Sequence, residues 1–141
     1  MNGDVPERAL AELTQLEAAA FRFGHQVRAL LAAFPTDMPA PFAVMPRFVN
    51  GTDANGDAVM GARSYLHLVV STEADVREWA SRMQSPVERK VIDEEEYGNV
   101  SAWTDGDMDG LRVHVGSSES YTREQWEQRQ KDAADVGGDA A

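Results

Sequence analysis

Between about Pro6 and Phe34, apolar or small residues recur at Ala9, Leu13, Leu16, Ala20, Phe23, Val27, Leu30 and Phe34. Alternating spacings of four and three place them on one stripe of a helix. Asp4 suits the N-cap, Pro6 and Glu7 suit the first turn, and Pro35 stops the run. The predicted helix is roughly 43 Å long at 1.5 Å per residue, which is long for a chain of 141 residues. Read as a heptad with Leu13 at a, the stripe has Glu12, Glu17, Ala19, Gly24, Gln26, Leu31 and Ala33 at flanking e and g positions. Those flanks lack the opposite-charge pairs of a coiled coil. Two readings remain: a helix lying on a sheet, or a helix whose stripe overhangs the sheet and packs on another subunit. If the whole stripe is buried, Leu16→Asp should destabilise severely, because it puts a charge on the apolar face.

The pattern then changes period. A linker from Pro35 to Pro41 leads into an extended segment, Phe42 to Val49, whose Pro46 restricts it to a sheet edge. Asn50-Gly51 and Asn55-Gly56 mark turns in a polar loop, and the chain returns over Ala58 to Ser71, where Leu66, Leu68 and Val70 alternate with Tyr65, His67 and Val69. Thr72 and Asp75 form an approximate capping box for a short helix carrying Val76, Trp79, Ala80 and Met83. Strands follow at Val87 to Ile92, Tyr97 to Trp103 and Leu111 to Val115, separated by the acidic run Asp93 to Glu96 and by a turn over Asp105 to Gly110. Thr122 and Gln125 cap a last helix around Trp126. Runs of strands joined by short turns predict the α+β class. The expected architecture is an antiparallel sheet of about five strands, with the long and central helices on one face and a C-terminal helix added. Residues 1–131 are expected to form a single domain, and residues 132–141 a disordered acidic tail.

Composition narrows the function classes. Thirteen Lys and Arg against 24 Asp and Glu give a net charge of −11, contrary to the basic footprint of a nucleic-acid binder. With no cysteine there is no disulfide, thiolate metal site or cysteine nucleophile. No apolar run approaches a membrane span, and the polar N-terminus does not read as a signal peptide, so a cytoplasmic protein is expected. Eleven Arg to two Lys, with a single Ile, fits a GC-rich coding sequence such as that of an actinobacterium, its phages or mobile elements.

Candidate chemistry is sparse. Asp105-Gly-Asp-Met-Asp-Gly110 spaces Asp105, Asp107 and Asp109 like the first half of a calcium loop. Gly116 stands where the bidentate Glu should be, and an Asp/Gly-rich hairpin turn explains the run more simply. His67 and His114 lie in predicted strands, each opposite the apolar face. If those strands were neighbours, the imidazoles would pair, with Arg112 and a carboxylate such as Glu88 completing a metal, ligand or acid–base site. His25 stands alone. Phe23, Leu30, Phe34 and Trp126 are the large apolar residues best placed for an interface.

No catalytic signature emerges and no cofactor is implied. The leading expectation is a small acidic non-enzymatic interaction protein, accessory or regulatory, which binds a protein partner or forms a homodimer and contacts neither nucleic acid nor membrane. The alternative is a ligand-binding or catalytic α+β domain using His67 and His114.

Overall fold

The computed structural model describes residues 4–139, with side chains through 135. Helix α1 spans Asp4–Ala32. Strands β1 (Ala43–Arg47) and β4 (Tyr65–Val69) pair antiparallel, with a small hairpin of β2 (Gly51–Thr52) and β3 (Ala58–Val59) between them. Helix α2 (Glu73–Met83) leads to β5 (Val87–Asp93), β6 (Tyr97–Met108) and β7 (Leu111–Thr122), and α3 (Arg123–Asp139) closes the chain. The five-stranded sheet has the order β1-β4-β7-β6-β5. Proline in β1 sits at an edge, where a missing N–H leaves no gap in the ladder. No helix among the described residues is long and apolar enough to cross a membrane.

This is the expected α+β fold with one difference: β4 and β7 run parallel. The reason lies in α2. It carries the chain back across the sheet, so β5 starts in the direction of β4, and the two reversals β5–β6 and β6–β7 leave β7 parallel to β4. The β6–β7 hairpin is also longer than the periodicity indicates. Its turn is only Asp109-Gly110, both at positive φ (52° and 83°), the left-handed pair that tightens a two-residue hairpin. Asp105 and Asp107 are therefore strand residues rather than loop residues. At the C-terminus, α3 runs through Asp139 and so takes in residues 132–139 of the stretch expected to be an acidic tail. Ala133 and Ala134 are strong helix formers, and Gln128 donates to Asp132 one turn on. Residues 140–141 of that tail lie outside the described residues.

The core forms on one sheet face. Leu66, Leu68 and Val70 of the β4 segment meet Val113 and Val115 of β7, Val76 and Trp79 of α2, and Phe23, Val27 and Leu30 of α1. Trp79 is fully buried, with Phe34 tilted against it at 5.5 Å, and its indole N–H donates to the Pro39 carbonyl at 2.9 Å. Thr72 caps α2 by accepting from the Asp75 N–H. On the same face, α3 is held by Trp126, which lies over Gly98 and beside Tyr121. A Cβ at Gly98 would occupy the space of the indole ring.

Only half of α1 takes part. Ala19, Phe23, Val27 and Leu30 are buried, whereas every residue from Asp4 to Ala18 is exposed. Support ends where the β2–β3 excursion returns: Phe48 packs on Phe23, and Gly61, at φ 70°, lets its backbone approach Phe48 and Ala19. Leu16 is 37% and Leu13 47% exposed, so the expectation that Leu16→Asp unfolds the chain through its core does not hold within one subunit. Leu30→Asp is the substitution that should do so, by about 3 kcal/mol or more in urea unfolding, because Leu30 lies inside the cluster. Gly98→Val should unseat Trp126 and release α3, read as loss of helical circular dichroism and a red-shifted tryptophan emission while the sheet signal persists.

Candidate functional site

All three helices pack on one face, so the other face of the sheet carries its own chemistry. Alternation along each strand fixes its membership. Leu66 and Leu68 point into the core and Tyr65 and His67 point out; Val113 and Val115 point in and Arg112, His114 and Gly116 point out. The parallel register sets His67 directly beside His114, with ring centroids 4.9 Å apart and the rings edge to face. The pairing that the sequence allowed conditionally is thus present.

Its carboxylate is not the one expected. Glu88 lies opposite Trp103, outside the imidazole row. Asp105 lies opposite His114 in the β6–β7 ladder, and His114 Nδ1–H donates to Asp105 Oδ1 at 2.7 Å. This carboxylate fixes the imidazole's tautomer and orientation. The next row of the same ladder sets Arg112 opposite Asp107. Tyr65 closes the group, edge-on to His114 at 6.2 Å and tilted against His67 at 6.4 Å. On the β1 side, Met45 is the register partner of His67, and Arg47 that of Tyr65.

These residues surround an open cavity of about 490 Å³, lined by Tyr65, His67, Asp105, Arg112 and His114, with Val49 and Arg63 from the β2–β3 excursion. The excursion is pinned there by the Arg63 N–H donating to the Val49 carbonyl and the Val49 N–H donating to Ser64 Oγ, both at 2.9 Å. Desolvation is the main cause that holds the His67 pKa below its ordinary value. His114 and Arg47 add to the depression, and Asp105 opposes it. His67 is thereby kept neutral further into acid than a free imidazole.

The Asp-rich segment does not assemble. Asp105 is engaged by His114, Asp107 faces Arg112, and Asp109 forms the turn. Among the described residues no three His, Asp or Glu side chains are grouped to hold a metal ion. The residues expected at an interface are used within the chain: Phe23 and Leu30 in the core, Phe34 against Trp79, and Trp126 over Gly98. The sequence stripe was continuous, and what it did not reveal is which end the sheet covers. Along α1 the large apolar residues left exposed are Val5, Leu10, Leu13, Leu16, Phe21 and Leu31, with Phe21 at 76%. Among the described residues His25 has no polar partner, and it stacks on Phe21. The site residues missed in the sequence are Arg47, Arg63, Tyr65 and the role of Asp105. A signal for Asp105 existed: with Asp109-Gly110 taken as a two-residue turn, counting outward pairs Asp107 with Arg112 and Asp105 with His114.

Comparison with known protein families, curated proteins and solved structures gives no match.

The depressed His67 pKa has a definite sign in stability. Between the folded value and the ordinary 6.5, the unfolded chain binds more protons, so stability rises with pH through that window. The stability associated with neutral His67 is fully present above 6.5 and is lost as pH falls through the folded value. The urea midpoint should therefore fall less on acidification in His67→Gln than in the parent. Parallel pH profiles for the two proteins would refute this assignment.

Proposed function

We propose that this chain is a non-enzymatic interaction protein that works as a homodimer assembled through α1. One observation carries the reading: from Asp4 to Ala18 the helix has no buried residue, yet its apolar stripe continues through Leu16, Leu13 and Ala9. This arm is about 22 Å long by helical rise. An isolated helix of that length is marginal in water, and helices in proteins draw most of their stability from packing an apolar face. A second copy supplies that face, since a two-fold interface is self-complementary.

The charges on α1 favour the antiparallel arrangement. Its first half carries Asp4, Glu7, Glu12 and Glu17 against Arg8, and its second half carries Arg22 and Arg28 with no acid. Antiparallel pairing along the full helix lays the acidic half of one copy on the basic half of the other. Parallel pairing aligns like with like. The second half also offers exposed Phe21 and Leu31 to the partner's leucines, and the small exposed Ala20 at the middle lets the two backbones approach closely. A soluble, cytoplasmic setting agrees with the acidic surface.

Light scattering across the micromolar range should give twice the chain mass of 15.5 kDa. Leu13→Asp with Leu16→Asp should give 15.5 kDa with the sheet signal retained. Arg22→Glu with Arg28→Glu should weaken the dimer, and adding Glu12→Arg with Glu17→Arg should restore it. A mass of 15.5 kDa for the parent at every concentration would overturn the reading.

A further inference from the structure

We infer that the open-face cavity is a binding site for a small organic oxyanion, a phosphate monoester or a carboxylate, held by Arg63 and Arg112 beside the His67–His114 pair. Local charge is the first argument. The chain as a whole is at −11, yet Arg47, Arg63 and Arg112 gather at one end of this sheet face. Of the remaining arginines, Arg77 and Arg89 share Glu73, Arg82 holds Asp37 and Arg123 holds Asp93 and Glu127, while Arg8, Arg22 and Arg28 on α1 and Arg129 on α3 form no ion pair among the described residues. Among the described residues none of the three open-face arginines forms an ion pair, although Asp107 is the register neighbour of Arg112. The carboxylate in the cavity, Asp105, is committed to His114. Two guanidinium forks are thus free on a concave surface, and a fork of this kind matches carboxylate and phosphate oxygens.

Shape and composition are the second argument. At about 490 Å³ the cavity falls in the range of small-molecule sites, which combine apolar walls with a few convergent polar groups. Here Val49 and the ring of Tyr65 supply apolar wall for the body of the ligand, and the arginines hold its charged end. The groups facing His67 are Arg47 from β1, Tyr65 on its own strand, Arg112 and His114 from β7, Asp105 from β6 and Arg63 from the excursion. Positive neighbours predominate, so an arriving anion favours protonation of the imidazole, and binding takes up protons. This site does not involve α1, so it stands or falls separately from the dimer.

The test is a titration of the full chain with inorganic phosphate, phenyl phosphate and benzoate, followed by calorimetry and by the histidine side-chain resonances. Saturable one-site binding of an organic anion is expected, tighter near pH 6 than near pH 8, with the His67 pKa raised in the complex. Arg63→Gln and Arg112→Gln should each weaken it about tenfold or more, as loss of a charge-assisted hydrogen bond does. Both side chains are exposed, so the variants should keep the parent's melting temperature, a control read in the same samples. Preference for phenyl phosphate assigns a phosphate monoester as ligand, and preference for benzoate assigns a carboxylate. Absence of saturable binding by all three probes, or equal binding by the Arg63→Gln/Arg112→Gln double variant, would overturn the proposal.

Discussion

In the middle of the sheet, Leu66 and Leu68 of β4 lie beside Val113 and Val115 of β7, and this parallel register governs both surfaces of the molecule. Side chains alternate along a strand, so the pairing that sends four aliphatic residues into the core also sends His67 and His114 out together. A slip of one residue between these strands would turn one imidazole into the core, expose the aliphatic pair of that strand and separate the two histidines. The core therefore holds the His pair in place indirectly: the energy that fixes its geometry is hydrophobic and is spent on the opposite face. The β6–β7 hairpin extends the same logic outward, since the Asp109-Gly110 turn sets the count that brings Asp105 to His114.

The helices show the converse situation, an element longer than the surface that receives it. The stretch of α1 from Ala19 to Leu30 has an excursion, a linker and a sheet face to lie on. Before Ala19 no described residue of the helix is buried, and the excursion borders it only beside Gln15 and Ala18. The leucines of that arm follow the same spacing as those of the core-facing half, so the arm is amphipathic without being covered. Helix α3 is the opposite case: a polar helix whose position depends on Trp126 fitting the notch left by Gly98. Its indole N–H is buried without a partner among the described residues, which offsets part of what the ring gains by burial.

Much of the fold was legible in the sequence because it rests on periodicity and punctuation. The long helix, the edge position of the Pro46 strand, the capped α2 and the strands after Pro86 all follow from local signals. The direction of β7 relative to β4 was not legible, since it depends on where α2 delivers the chain, a tertiary fact. The extent of burial along α1 was hidden for a similar reason: Leu13 and Leu30 are indistinguishable by pattern and differ only in what stands opposite them. At the site, His67 and His114 could be marked as outward-facing, but their contact needed the strand order. Arg63 had no signal, because it is brought to the cavity by a loop whose path is set by hydrogen bonds to Val49 and Ser64.

Pro46 has a consequence for how such a molecule can and cannot grow. A sheet with two free edges offers templates for adding strands from other copies, the route to fibrils. Here one rim is interrupted by a ring nitrogen with no hydrogen to give, at the fourth position of a strand only five residues long. The opposite rim, β5, bears Glu88, Arg89 and Lys90 in succession and runs into the acidic turn before Tyr97. Another copy approaching either rim meets a missing donor or a dense row of charge. Lateral addition of strands is disfavoured on both sides, and a protein with exposed leucines on a helix can tolerate them because its sheet gives aggregation no edge on which to start.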